Sequence, residues 1–87
     1  MKSILTKEFH KRFARLPPDI QKQARATYRL WKVNPHYPSL HFKPIIGEEQ
    51  VYSVRIGLRY RAVGTKIDNN TILWNFIGTH AEYDQLF

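Results

Sequence analysis

Two adjacent prolines, Pro17 and Pro18, interrupt a helical pattern that resumes immediately after them. Proline fixes φ and lacks an N–H, so it stops an arriving helix yet fits the first turn of the next one. Before the break, Phe9, Phe13 and Leu16 recur at the spacing of one helix face, with Lys7, Lys11, Arg12 and Arg15 on the other. Thr6 is placed to cap this helix, and Glu8 falls in its first turn, where the helix dipole favours an acid. After the break, a second helix is expected from Pro18 to Lys32. Its apolar stripe is Ile20, Ala24, Tyr28 and Trp31, with Lys22, Arg25, Arg29 and Lys32 elsewhere on the wheel. Asn34-Pro35 ends it, because the residue before a proline is pushed out of the helical region. The N-terminal third is therefore an αα-hairpin whose aromatic stripe needs a surface to cover.

The remainder supplies one. Lys2 to Leu5 reads as a short strand, and residues 36–46, with Pro38 and Pro44, read as irregular up to a turn at Gly47. Val51 to Ile56 alternates as a strand, Gly57-Leu58 turns, and Arg59 to Ile67 returns. Asp68-Asn69-Asn70 is a hairpin sequence, since Asn tolerates the left-handed backbone of tight turns. Thr71 to Thr79 is the longest strand, with Ile72, Trp74 and Phe76 expected on one face. The expected fold class is α+β: an N-terminal strand and an αα-hairpin packed on a twisted, mainly antiparallel sheet of at least three strands. Phe9, Phe13, Ile20, Tyr28 and Trp31 should be mostly buried, with Val54 and the Trp74 or Leu73 face. At 87 residues, all of positions 1–87 make one domain.

Charge narrows the function. Fourteen Lys and Arg against seven Asp and Glu give a net charge of +7, which attracts polyanions such as phosphate backbones. No basic helix carries a lipid-type apolar face, and no apolar run approaches the roughly 18 residues of a membrane span, so no membrane partner is expected. The first five residues carry a charge but no apolar signal core, and a cytoplasmic protein is expected. Cysteine is absent, which excludes disulfides and Cys-based zinc sites. The histidines at 10, 36, 41 and 80 have no metal-ligand spacing, so neither a metal nor another cofactor is expected. What stands out is a run of strand cations, Arg55, Arg59 and Arg61; such a cluster either solvates one sheet face or invites phosphate.

An ordered set of short pieces resembles one family. These are Leu5-Thr6-Lys7-Glu8-Phe9, the break at Leu16-Pro17, Asn34-Pro35, and Lys43 ahead of Gly47. Tyr52-Ser53-Val54-Arg55-Ile56-Gly57, Tyr60-Arg61-Ala62-Val63 and Ile77-Gly78-Thr79-His80 complete it. Over nearly its whole length the chain is similar to the RelE/ParE superfamily of bacterial type II toxins, and its Gly-Thr-His ending to the RNA-cleaving branch. The resemblance implies a toxin silenced by a cognate antitoxin, acting as an endoribonuclease on mRNA in the ribosome. The alternatives are a non-enzymatic DNA gyrase inhibitor of the ParE branch and a catalytically degenerate homologue. It implies that Arg61 stabilises the phosphate, that Arg55 holds the phosphate or activates the nucleophile, and that His80 is the general acid. Lys43, Arg59, Tyr83 and His41 are the further RNA-binding candidates, Tyr83 by stacking on a base. Ser53 and Ile46 depart from the pattern, standing where some ribonuclease members carry further cations.

The chemistry suits these residue types. Attack of a 2′-OH on its own phosphate needs a base, an acid for the leaving 5′-oxygen, and cations on the pentacoordinate oxygens. It also sets a condition on strand pairing, because directly opposite residues of an antiparallel pair share a face. Arg55 and Arg61 converge only if the turn between their strands has three residues, Gly57 to Arg59. A two-residue Asn69-Asn70 turn then aligns Arg61 with Gly78 and leaves His80 two residues further along that face.

Overall fold

In the computed structural model, which describes residues 1–87, the helix start falls where Thr6 puts it. Helix α1 runs Lys7–Ala14, and the Thr6 hydroxyl accepts the Phe9 N–H at 3.1 Å. The same hydroxyl donates to the Trp74 carbonyl at 2.9 Å, pinning the helix to the sheet. Helix α2 spans Pro18–Val33, with Pro18 in its first turn as expected. The Gln21 side-chain amide spans the proline corner, donating to the carbonyls of Phe13 (3.1 Å) and Leu16 (3.2 Å) and so tying α2 to the end of the preceding helix.

Five strands form one mixed sheet, β1 Lys2–Leu5, β2 Lys43–Ile45, β3 Glu48–Ile56, β4 Tyr60–Asp68 and β5 Thr71–Thr79, in the order β1-β5-β4-β3-β2. Strand β1 lies parallel to β5, and the other neighbours are antiparallel. Two elements differ from the sequence reading. Residues 43–45, expected to be irregular, form an edge strand; Pro44 is tolerated because an edge residue can lack a ladder N–H. Beyond β5 the chain folds into a third helix, α3 His80–Leu86.

The αα-hairpin covers one face of the sheet, where Trp31, Leu40, Val54, Ile56, Ala62, Ile72, Trp74 and Ile77 are buried. The Trp31 and Trp74 rings meet edge-on, 5.3 Å between centroids. Losing a buried aromatic of this kind costs about 3–5 kcal/mol. Trp31, Val54 and Trp74 are buried as expected, but Phe9, Phe13, Ile20 and Tyr28 are only half-buried. The hairpin stands off the sheet and leaves a cavity of about 220 Å³, lined among others by Leu5, Phe9, Phe13, Tyr28, Trp31 and Trp74.

The expectation for β5 is corrected by a bulge. Pairing shifts between Val63↔Phe76 and Gly64↔Trp74, leaving Asn75 as an extra residue. Ile72 and Trp74 face the helices, Phe76 faces away, and Ile77 takes the next inward position. Phe76 joins Ile45 and Val63 in a small second cluster on the open face. Gly64 permits the shift, since a Cβ there would lie 2.9 Å from both the Ile72 and Trp74 side chains.

Candidate nucleic-acid interface

The open face is organised by the turn after β3. Gly57 has φ of +59°, a left-handed conformation natural to glycine, and it opens a three-residue turn, Gly57 to Arg59. Ile56 therefore pairs with Tyr60, and Arg55 stands directly opposite Arg61. Because Val54, Ile56 and Ala62 point to the helices, both arginines point to the open face. Partial burial first, and then the adjacent Arg55 charge, hold the Arg61 guanidinium below its ordinary pKa, while Tyr83 and Asp84 act in the opposite direction. Arg61 donates to the Tyr60 carbonyl at 2.9 Å; the Arg55 Nε is buried without a partner. Two like charges held side by side are poised for an anion that can bridge them.

The neighbouring candidates fall around this pair unequally. Lys43 pairs with Ser53, which places it on the same face one strand outward. Ser53 is buried and Ile46 fully exposed, so neither adds charge here. Arg59 lies in the turn and not on β4 as expected; its carbonyl accepts the His80 N–H at 2.6 Å. His41 ends a 3₁₀ turn at Pro38–Leu40 with φ of +47°, and no side-chain hydrogen bond or ring contact ties it to the arginines.

Helix α3 brings the rest. Thr79 caps it: its hydroxyl accepts the Glu82 N–H at 3.1 Å, and the Glu82 carboxylate accepts the Thr79 N–H at 2.9 Å. That hydrogen bond holds the Glu82 carboxyl below the usual range. Arg12 of α1 approaches Glu82 at 3.9 Å and lies over the Phe76 ring, 4.8 Å from its centroid. Tyr83 packs against the Ile45, Val63 and Phe76 cluster, and Phe87 meets Phe76 edge-on at 5.5 Å. Gly78 leaves room for the helix, since a Cβ there would sit 2.9 Å from the Glu82 carboxylate and from Phe76.

His80 is the first residue of α3, so strand alternation does not place it; the expectation that it continues the Arg61 face of β5 is corrected. Its register neighbours are as anticipated, with Arg61 opposite Gly78 and Tyr60 opposite Thr79. The imidazole Nε2 lies 3.3 Å from the Asp84 carboxylate, and the Tyr83 ring is 6.0 Å away. A linked set results: Arg55 beside Arg61, Tyr83 and Asp84 acting on Arg61, and Asp84 on His80. Sequence reasoning missed α3 and Asp84. The Thr79-x-x-Glu82 capping pattern was the signal available for the helix.

A helical hairpin on one face of a five-stranded mixed sheet is the fold of RelE-like toxin structures. The model of the ParE-like toxin domain matches residues 18–85, and the chain belongs to that family. The toxin–antitoxin complex of RelB and RelE from Methanococcus jannaschii is similar in structure, with a TM-score of 0.72 at 21% identity over 97% of this chain and 98% of that one. The YoeB/ParE toxin from Agrobacterium tumefaciens gives 0.70 at 18% identity, over 92% and 99% of the two chains. The RelBE2 toxin–antitoxin complex from Mycobacterium tuberculosis gives 0.66 at 22%, over 91% and 96%. No curated protein matches in sequence. No helix is long and apolar enough to cross a membrane.

Proposed function

We propose that this toxin cuts mRNA in the ribosome and so blocks translation in the cytoplasm. The observation that carries the reading is the register that sets Arg55 directly opposite Arg61 on the open face, with α3 and His80 beside them. The scissile phosphate would bridge the two guanidinium groups, whose planar donors match phosphate oxygens. The 2′-oxygen attacks phosphorus and its proton passes to solvent. Arg61 and Arg55 stabilise the charge on the pentacoordinate phosphorus. As the P–O5′ bond breaks, His80 gives its proton to the 5′-oxygen, leaving a 2′,3′-cyclic phosphate and a 5′-hydroxyl. Tyr83, half-buried against Phe76, offers the exposed part of its ring to a flanking base; Lys43 and Arg59 hold adjoining phosphates. His41 takes no part in these steps.

The partner is an antitoxin, and two of the similar structures are toxin–antitoxin complexes. The 220 Å³ apolar cavity, with Arg25 and His10 in its lining, suits the apolar side chains of an acidic, amphipathic antitoxin helix laid across the hairpin and sheet. The test is cleavage of ribosome-programmed mRNA in a purified translation system, run beside supercoiling by purified DNA gyrase. Arg61→Ala and His80→Ala should each abolish cutting while folding and antitoxin binding persist. Arrest of gyrase with intact mRNA would overturn the nuclease reading in favour of the ParE-type one.

A further inference from the structure

His80 is the first residue of α3, directly after the end of β5. Its own N–H donates to the Arg59 carbonyl at 2.6 Å, which fixes the start of the helix against the β3–β4 turn. Arg61 of the neighbouring strand lies opposite Gly78, two residues before His80, with Arg55 beside it, and Arg12 of α1 approaches Glu82. Of the acids on α3, Glu82 is turned back onto the Thr79 N–H and hydroxyl. Asp84, one turn beyond His80, is the carboxylate directed at the imidazole, Oδ1 to Nε2 at 3.3 Å.

We propose that Asp84 is a positioning residue, which orients the His80 ring through Nε2 and places a negative charge beside it. The proposal rests on the nuclease reading for its purpose, and on the His80–Asp84 contact for its existence. Helix geometry makes the contact local, because residues four apart lie on the same face. Tyr83, between them in sequence, is turned to the Phe76 cluster and keeps that side of α3 seated on the sheet. Asp84 also lies close enough to Arg61 to favour its charged form slightly. With Nε2 engaged by Asp84, Nδ1 is the nitrogen left free to give its proton to the 5′-oxygen.

The test is an NMR titration of the His80 ring in the full-length protein, with His80→Gln to assign the resonances, in wild type, Asp84→Asn and Asp84→Glu. An exposed ion pair of this spacing shifts a protonation equilibrium by roughly twofold, about 0.3 pH unit. The His80 midpoint should move to lower pH by that amount in Asp84→Asn and return in Asp84→Glu, whose longer side chain can still reach one turn back. In ribosome-programmed cleavage, Asp84→Asn should lower kcat at all pH values, by about a further twofold above the midpoint, and Asp84→Glu should restore most of the loss. An unmoved titration in Asp84→Asn overturns the proposal. Wild type that cuts no mRNA, with the titration still moving, ends the nuclease reading and leaves the His80–Asp84 pair established.

Discussion

Replacing Arg55 by methionine should make the protein more stable while removing its activity. Arg55 faces Arg61 directly across an antiparallel pair, and like charges so placed are destabilising on the scale of about 0.2–1 kcal/mol. Its Nε is also buried without a hydrogen-bond partner, a loss of about 1 kcal/mol at the low end for such a group. Methionine keeps most of the aliphatic stem and its packing while removing both penalties. The expected gain is about 1–2 kcal/mol. In a domain of this size each kcal/mol is worth roughly 4–8 °C, so Tm should rise by about 4–16 °C in a thermal melt followed by circular dichroism. Salt separates the two parts. The charge contribution fades between about 0.1 M and 1 M salt, as the Debye length falls from ~10 to ~3 Å, whereas the orphaned Nε contribution persists. Arg61→Met should gain less, because it also loses the hydrogen bond to the Tyr60 carbonyl. An Arg55→Met melt at or below wild type would refute the reasoning, and a gain independent of salt would refute its electrostatic half.

Three further outcomes are expected. Gly64→Ala should lower stability by about 1–3 kcal/mol, seen as a reduced Tm, because its Cβ would meet the Leu73 carbonyl at 3.0 Å as well as the Ile72 and Trp74 side chains; an unchanged melt would mean the bulge is plastic. Glu82 has a folded-state pKa depressed below its ordinary 4.5, so its capping contribution is present above that value and lost as pH falls through the depressed one. The Thr79 amide resonance should follow this acid transition and cease to do so in Glu82→Gln. His41→Gly, at φ of +47°, should leave Tm equal or a few degrees higher, since glycine adopts that conformation without strain, and mRNA cleavage should be unaltered. Loss of cutting in that variant would bring His41 into the chemistry.

The helical half was legible because its rules are local. Thr6, the Pro17-Pro18 break, Pro18 as a first-turn residue and Asn34 before Pro35 each act within one turn, and α1 and α2 begin and end accordingly. The turn chemistry of Gly57 and of Asn69-Asn70 is equally local, and Arg55–Arg61 and Arg61–Gly78 pair as those turns require. Strand β2 was hidden because three residues with a central proline show no alternation; its pairing with β3 is a tertiary fact. Helix α3 was hidden differently. It buries no residue fully, so no apolar stripe announced it, and only the Thr79–Glu82 cap marks its start.

The site depends on an irregularity that no pattern in the sequence declares. If the β4–β5 hairpin ran without interruption from Asp68↔Thr71 to Arg61↔Gly78, residues 72, 74 and 76 would share the face of Arg61. Either Ile72 and Trp74 would leave the core, or Arg61 would lie beneath the helices. The structure resolves the conflict with two shifts on opposite strands, at Ile67 of β4 and at Asn75 of β5. Each inverts the facing of the residues beyond it, and together they restore the register. Between them Ile72 and Trp74 point to the helices; beyond them Phe76 and Gly78 point to the open face with Arg61. The second shift therefore does two things at once. It lets an aromatic core and an arginine pair occupy opposite faces of one sheet, and it delivers Phe76 to the open face as the seat on which Tyr83 and Phe87 rest. His80 and Asp84 stand beside Arg61 because that seat exists, so the proposed catalytic geometry depends on Asn75 and Gly64 as much as on the charged residues themselves.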